Sequence, residues 1–440
     1  MSRAARPAAI FVGLSSFQAL AMFRRGIFYT FLGVYLRSYL GMSVTETTLF
    51  ETLPMILNIL FQTFVWGRIT DRLQLRRSLI VAGELLASVG HLALWYLHAR
   101  SPDPRAAGWA IIWGLTVIEI FWSMSNIGWS AFISDAYGPA ERNAIQGKLA
   151  SVGGAGRMLG IVIGGLLYDG MGKAYPGWGF QAGGIFFASA AAMCVSVIPL
   201  LFIPEGGVGF RPEEAPGAGA EADARAGGRA SGPGELRVFA VFLVAMLLIN
   251  SGTNSLATFK AQYLDLPEGF AASARTISLV MDVESGSLIL VGFFLGALGG
   301  AMGIPALLVA GTLAGAASLL LYALAPSIGL IYLASAFKGL SDGCVSSSSY
   351  AYASTLIPPE KRGRYFAAYN ATFMLSWGTS ATLVTGPLID GLVRAGRPAA
   401  FAYRAGILSS VAIMLLGLGL LGLLLRTRPA RRGAAAGPSA

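Results

Sequence analysis

The sequence predicts an all-α polytopic membrane protein, with twelve transmembrane helices in two six-helix halves. Three observations carry this prediction. Runs of roughly twenty apolar residues, the length that crosses a bilayer core, recur from one end of the chain to the other. The 440 residues are 55% hydrophobic and only 12% charged, too apolar for the surface of a soluble protein of this length. A polar stretch rich in Gly, Ala and Pro at residues 205–235 separates six apolar runs from six more.

The spans fall at about 10–36, 47–66, 78–98, 109–133, 146–168 and 180–203, then 236–260, 276–298, 301–324, 328–352, 365–388 and 402–425. The first is the weakest in its half, broken by Arg24 and Arg25, although its apolar run has no cleavage site of small residues and so reads as a span. The eighth is the weakest in the other half, because it contains Asp282 and Glu284; without these two the count is ten. Residues 1–203 form the N-terminal half, 204–235 a flexible cytoplasmic connector unable to bury enough to fold alone, and 236–440 the C-terminal half with a short basic tail.

The net charge of +10 reflects orientation rather than nucleic-acid binding, since the basic residues lie in short loops between apolar runs. With the N-terminus cytoplasmic, nineteen of the 32 Lys and Arg fall on the inner side and nine on the outer. Arg24, Arg25, Arg157 and Lys338 lie within spans. The expected place is the cell (inner) membrane, multi-pass, with both termini inside. The bilayer and its anionic headgroups are partners, and the protein is expected to be a monomer.

Catalytic and cofactor chemistry leave little trace. Cys194 and Cys344 lie inside apolar runs, and His91 and His98 have no metal-ligand company, which gives the histidines interfacial or helix-end positions. There is no GxxxxGK[ST] segment for ATP. No enzyme activity, cofactor or metal is expected.

A weak repeat relates the halves. "GPAERNAIQGKLA" at 138–150 is matched by "IPPEKRGRYFAAY" at 357–369, and the spans that follow end in Asp169–Gly170 and Asp390–Gly391. These are the fifth and eleventh spans, corresponding places in a six-plus-six plan.

The sharpest motif is a charged knot between the second and third spans, "GRITDRLQLRRSL" at 67–79. Here the chain resembles the major facilitator superfamily of secondary transporters, whose loop at this place reads G-x-x-x-D-R-x-G-R-R. Gly67, Asp71, Arg72, Arg76 and Arg77 fit. Gln74 replaces the second glycine one place early, with Leu75 at the glycine position, so the turn is expected to differ. In the family the knot latches the halves together in the outward-facing state. Asp71 suits the positive N-terminal end of a neighbouring helix, and the arginines suit headgroups or acidic residues. A plain positive-inside anchor is the simpler alternative. The equivalent loop after the eighth span, "LGALGGAMGIP", has no charge, so the latch is one-sided.

In the fifth span, "GRMLGIVIGG" keeps Gly156, Gly160, Gly164 and Gly165 of a pattern that ends Gly-Pro-x-x-Gly-Gly in the family's antiporters. Ile161 stands at the proline position, which speaks against an antiporter assignment; the small residues still suit close helix packing. Gly386 and Pro387 read as a bending or packing element of the eleventh span.

Ionisable groups inside spans are costly and need partners or a cavity. Glu119 is the first proton-coupling candidate and Glu84 the second, each a carboxylate in an otherwise apolar span. Substrate-cavity candidates are Arg24, Arg25, Glu119, Trp122, Asn126, Arg157, Lys338, Asp342, Phe373 and Trp377. Arg157 is expected to pair with Glu119, Lys338 with Asp342 four residues on, and Lys260 to snorkel; Glu51 is placed near a span end. The resemblance implies a small organic solute, amphipathic or charged, moved by alternating access and driven by a proton or sodium gradient, with efflux favoured over metabolite uptake. A channel and a non-transporting sensor are the alternatives of another class.

Overall fold

The computed structural model describes residues 7–137, 139–207, 233–357 and 362–427, and its regular structure there is entirely helical. The first half contains α1 (Pro7–Val34), α2 (Val44–Phe61), α3 (Gly67–Leu73), α4 (Arg77–Ala99), α5 (Pro104–Ala136), α6 (Pro139–Tyr168), the one-turn α7 (Trp178–Gln181) and α8 (Gly184–Val197). The second contains α9 (Pro233–Asp265), α10 (Ala274–Gly292), α11 (Leu295–Met302), α12 (Ile304–Leu324), α13 (Ile328–Leu356), α14 (Arg362–Ser376), α15 (Gly386–Arg394) and α16 (Ala399–Thr427). Most of the expected connector, 208–232, lies outside the described residues, as do Arg3, Arg6 and the tail from 428.

Local chemistry sets several helix starts. Ser43 caps α2 in a reciprocal box with Glu46, Asp103 caps α5 ahead of Pro104, and Ser273 caps α10. Among the described residues, nine helices are singly long and apolar enough to cross a bilayer, and the pair α10–α11, bent by 61°, makes up to ten. The expected twelve exceeds this by α1, with its two arginines, and by α14–α15. A turn at Trp377–Gly378 and a π-helical turn at Ala381–Thr385 interrupt that last run. Large apolar side chains such as Phe202 (80% exposed), Leu324 and Leu383 (both 70%) cover the outside, as a lipid-facing surface requires.

Glycines allow the closest helix approach. A Cβ at Gly160 would lie 2.0 Å from the Phe23 carbonyl oxygen, and one at Gly156 2.2 Å from that of Ala19, so α6 lies directly on the backbone of α1. Gly164 meets Ile27 of α1 in the same way, whereas Gly165 faces Ser278 of α10, in the other half.

The two halves share a local pattern that spans five residues of π-helix and the start of an α-helix. Gln62–Trp66 is π-helical and runs into Gly67, with Asp71 four residues on; Ala381–Thr385 is π-helical and runs into Gly386 and Pro387, with Asp390 four residues on.

Candidate functional site: the knot, the inter-half contacts and the buried charges

The knot folds onto its own half. Gln74 ends α3 in the left-handed conformation, φ +55°, so the turn is made at Gln74 and not at Leu75. Gln74 therefore holds the motif's glycine position, seven residues after Gly67, which puts Leu75 and Arg76 at the two arginine positions and Arg77 one place beyond. Its side chain supports the strained backbone: Nε2 donates to the Asp71 carbonyl, and Oε1 accepts from Arg76 Nη2 at 3.2 Å. Arg76 is buried. Its Nε donates to Asp135 at the end of α5 (2.9 Å), and Nη1 donates to the carbonyl (2.6 Å) and hydroxyl (2.9 Å) of Thr70.

Glu205 caps the start of α4. It accepts from the backbone N–H groups of Arg76 and Ser78, both at 2.9 Å, from the Ser78 hydroxyl at 2.8 Å, and pairs with Arg77 at 3.3 Å. Gly207 N donates to Asp135 at 2.9 Å. The segment after α8 is thus fixed to the knot at least to Gly207, where composition had placed flexible connector. The signal missed is an acid directly after a span, which composition averages away. Asp71 and Arg72 are exposed.

Cross-half hydrogen bonds gather toward the end opposite the knot. Asp390 accepts from the N–H groups of Val44 and Thr45, at 2.9 and 2.8 Å, and from the Thr45 hydroxyl at 2.5 Å, so an acid of the second half caps α2 of the first. The carboxylate of Asp169, its counterpart in the sequence repeat, accepts from Gly172 N in its own turn. Ser38 donates to Asp265, Gln262 to Thr47, and the Thr382 hydroxyl bonds those of Thr48 and Thr52. Thr258 donates to Glu51 at 2.7 Å, and Ser278 to the Ile161 carbonyl at 3.1 Å. Glu51 is therefore an inter-half residue, not a span-end one. Gly378, at φ +76°, lets the break in the α14–α15 run approach Thr52.

The cavity candidates fall into two groups. Arg24, Glu119, Trp122 and Lys338 are each at least 94% buried. Arg25, Asn126, Arg157 and Phe373 are exposed, with Trp377 and Asp342 between. Phe373 and Trp377 meet edge-on at 6.1 Å. Glu119 does not pair with Arg157; it accepts from Asn58 Nδ2 of α2 and lies within electrostatic range of Arg25, Arg24 and Glu84. Arg157 instead lies within electrostatic range of Glu51 on α2 and of Asp282 and Glu284 on α10. Neither Arg25 nor Arg157 makes an ion pair among the described residues.

In the second half, Lys338 bonds Asp342 at 2.5 Å and stands 3.9 Å from Glu284. Lys260 is 2% exposed and paired with Glu284, so it does not snorkel: the carboxylate one helix away supplies the partner that a headgroup would have given. Of the two histidines, His98 lies in the last turn of α4, the helix-end position expected, whereas His91 lies mid-helix. His91 is fully buried within the first half, and the buried His98 bonds the Tyr35 hydroxyl at 2.7 Å.

A family model described as the Major Facilitator Superfamily matches residues 14–274. No curated relative matches the sequence. Among solved structures, the nucleoside transporter NupG is 15% identical with a TM-score of 0.71, covering 94% of this chain and 99% of its own. A bacterial homologue of the human lysosomal transporter Spinster, inward-facing and unoccupied, is 14% identical with a TM-score of 0.70, covering 98% and 99%. A POT family transporter in complex with a thioalcohol-conjugated peptide is 13% identical with a TM-score of 0.69, covering 94% and 96%. At these identities the likeness is one of fold. The family match over more than half the sequence, on a helical fold whose buried charges and inter-half contacts have just been described, places this chain in the Major Facilitator Superfamily, as a multi-pass membrane transporter and not an enzyme.

Proposed function

We propose that the chain moves a small charged or amphipathic organic solute by alternating access, with a proton as coupling ion and efflux as the direction. The observation that carries this reading is Glu119, a buried carboxylate held by Asn58 and within electrostatic range of Arg25, whose side chain is exposed. Such a group exchanges a proton against a nearby cation as the halves move. Arg25, Arg157, Asn126, Phe373 and Trp377 are the cavity surface in this reading, offering cations and aromatic rings to an acidic or amphipathic solute. Arg24, Trp122 and Lys338 support it from behind. Glu84 is the second proton site.

The layout is twelve-span, with both termini and the connector cytoplasmic, as a split of nineteen inner to eight outer basic residues supports once the buried Lys260 is set aside, and the protein is monomeric in the inner membrane. The knot end is then cytoplasmic, and the bonds from Asp390 to α2 close the opposite, outer end. Asp71, exposed in this arrangement, is the residue that latches the halves in the outward-facing state, with Arg76 and Arg77 holding the knot in shape and Arg72 free for anionic headgroups.

A solute panel in proteoliposomes, with and without a pH gradient, tests the reading. Flux driven by the pH gradient supports it; flux driven only by a sodium gradient moves the coupling ion to sodium, and binding without flux makes the protein a sensor. Glu119→Gln is expected to abolish gradient-driven accumulation while solute exchange down its own gradient continues. Loss of both together would reduce Glu119 to a structural role.

A further inference from the structure

The interior of the first half brings three side chains already named, Arg24, Trp122 and Glu84, together with His91 in one buried polar group. Arg24 of α1 lies over the Trp122 ring of α5, its guanidinium carbon 4.0 Å from the ring centroid. His91 of α4 lies 5.2 Å from the same ring on centroids. Glu84, two helical turns before His91 on α4, accepts from Ser125 of α5 through Oε1 at 3.0 Å. All four side chains are at least 94% buried.

Among the described residues, five of their polar atoms have no hydrogen-bond partner: Arg24 Nε and Nη1, Glu84 Oε2, His91 Nε2 and Trp122 Nε1. Leaving a guanidinium and a carboxylate oxygen unbonded in an apolar bundle costs several kcal/mol by order of magnitude. The five atoms are also complementary. His91 Nδ1 faces the Ala87 carbonyl at 3.0 Å, and a carbonyl only accepts, so Nδ1 carries the hydrogen and Nε2 of the neutral ring is an acceptor. Three N–H donors, from Arg24 and Trp122, are thus left beside two acceptors, from Glu84 and His91, on side chains grouped around the Trp122 ring. A direct ion pair does not form although Arg24 lies within electrostatic range of both Glu84 and Glu119. The molecule that accepts from one set and donates to the other, and that fits a space between packed helices, is water. An anion would meet Glu84 and Glu119; a metal cation would meet Arg24.

We infer that the first half binds water between Arg24, Glu84, His91 and Trp122, and that this water carries a proton between Glu84 and Glu119. In the transfer, the Glu84 carboxyl gives its proton to water, and water gives a proton to the Glu119 carboxylate. One O–H bond breaks and one forms at each step, and the water is restored. The charged and titratable groups around the path are Arg24, Arg25 and Tyr29 on α1, Glu84 and His91 on α4, and Glu119 on α5, with Asn58 on α2 holding Glu119. The Phe28 ring, 5.0 Å from His91 and 5.2 Å from Phe186 on centroids, closes the cluster toward His98. The water site stands on geometry alone; its role as a relay rests on the proton-coupled reading.

Pulsed X-ray hydroxyl-radical labelling tests the site on the full chain, because a bound water beside a buried ring generates the radical in place. Normalised to the free amino acids, Trp122 and His91 are expected to oxidise several-fold faster than Phe180 and Phe186, which are equally inaccessible to bulk solvent. Trp122 and His91 as protected as those two phenylalanines would overturn the water site and leave proton coupling at Glu119 standing. The relay is tested in proteoliposomes with Trp122→Phe, which keeps the ring over Arg24 and removes one water donor. Gradient-driven flux is expected to fall several-fold, with a larger solvent deuterium effect than in the parent. An unchanged rate and isotope effect in this variant, or absence of any pH-driven flux in the parent, would remove the relay.

Discussion

The guanidinium of Arg76 is committed wholly to its own half, bonded to Asp135, Thr70 and Gln74. Lysine keeps the charge but cannot form this planar set, so Arg76→Lys is expected to destabilise by about 2 kcal/mol. A lowered melting temperature in detergent, by several degrees, is the check. Gln74 gives a finer test. Its left-handed backbone costs a side-chain-bearing residue about 1 kcal/mol, which glycine avoids. Gln74→Gly is therefore expected to melt higher than Gln74→Ala, since both lose the side-chain bonds and only alanine keeps the strain. The reverse order would mean that the turn is not under strain. Gly67, Asp71, Arg72 and Arg76 of this knot were legible in the sequence because they are local. Its anchors, Glu205 and Asp135, were not, because they arrive from the ends of α8 and α5 and nothing in their neighbourhoods marks the destination.

Among the elements, the α1–α6 contact depends on backbone touching backbone. Glycine-to-alanine at Gly160 puts a methyl 2.0 Å from a carbonyl oxygen on α1, whereas at Gly286 of α10 the nearest atom is the flexible Met158 terminus at 3.9 Å. The same chemical change is thus expected to cost about 3 kcal/mol or more at Gly160 and to be neutral or stabilising at Gly286, where only helix propensity acts. Thermal melts of the two variants side by side decide it, and equal effects would refute the close contact. Helix positions were legible to within a few residues, since an apolar run of fixed length signals itself. The break at Trp377–Gly378 was not, because a neighbour fixes it: Thr52 occupies the place where Gly378 would carry a side chain. Likewise Lys260 looked like a snorkelling residue until Glu284, on the next helix, took it inward.

For the whole molecule, the pattern of a π-helical turn, glycine and aspartate occurs once in each half, with Asp71 exposed and Asp390 engaged. Asp390→Asn keeps an acceptor but removes the charge facing the N-terminus of α2. The loss is about 1 kcal/mol, which moves the balance between states by a factor of roughly five away from closure at this end. Pulsed electron–electron distance measurements between spin labels at Tyr39 and Glu268 would show the shift as a longer-distance population. No change in that distribution would show that the closure rests on the threonine and Ser38 contacts instead. The all-helical membrane fold was legible from hydropathy. Which charges meet across the interface was not, since Glu51 with Thr258 and Asp390 with α2 are pairings between spans hundreds of residues apart.

The Asp390 contact also has a genetic consequence. Two of its three donors are main-chain N–H groups, which side-chain substitution at Val44 or Thr45 leaves in place unless proline is introduced. Second-site revertants of an Asp390 variant therefore have almost nothing to repair opposite the lost carboxylate. In a selection for restored transport they are expected to accumulate at the parallel contacts, Ser38 with Asp265, Thr48 and Thr52 with Thr382, and Glu51 with Thr258. Sequencing such revertants would map the closing surface without a second structure.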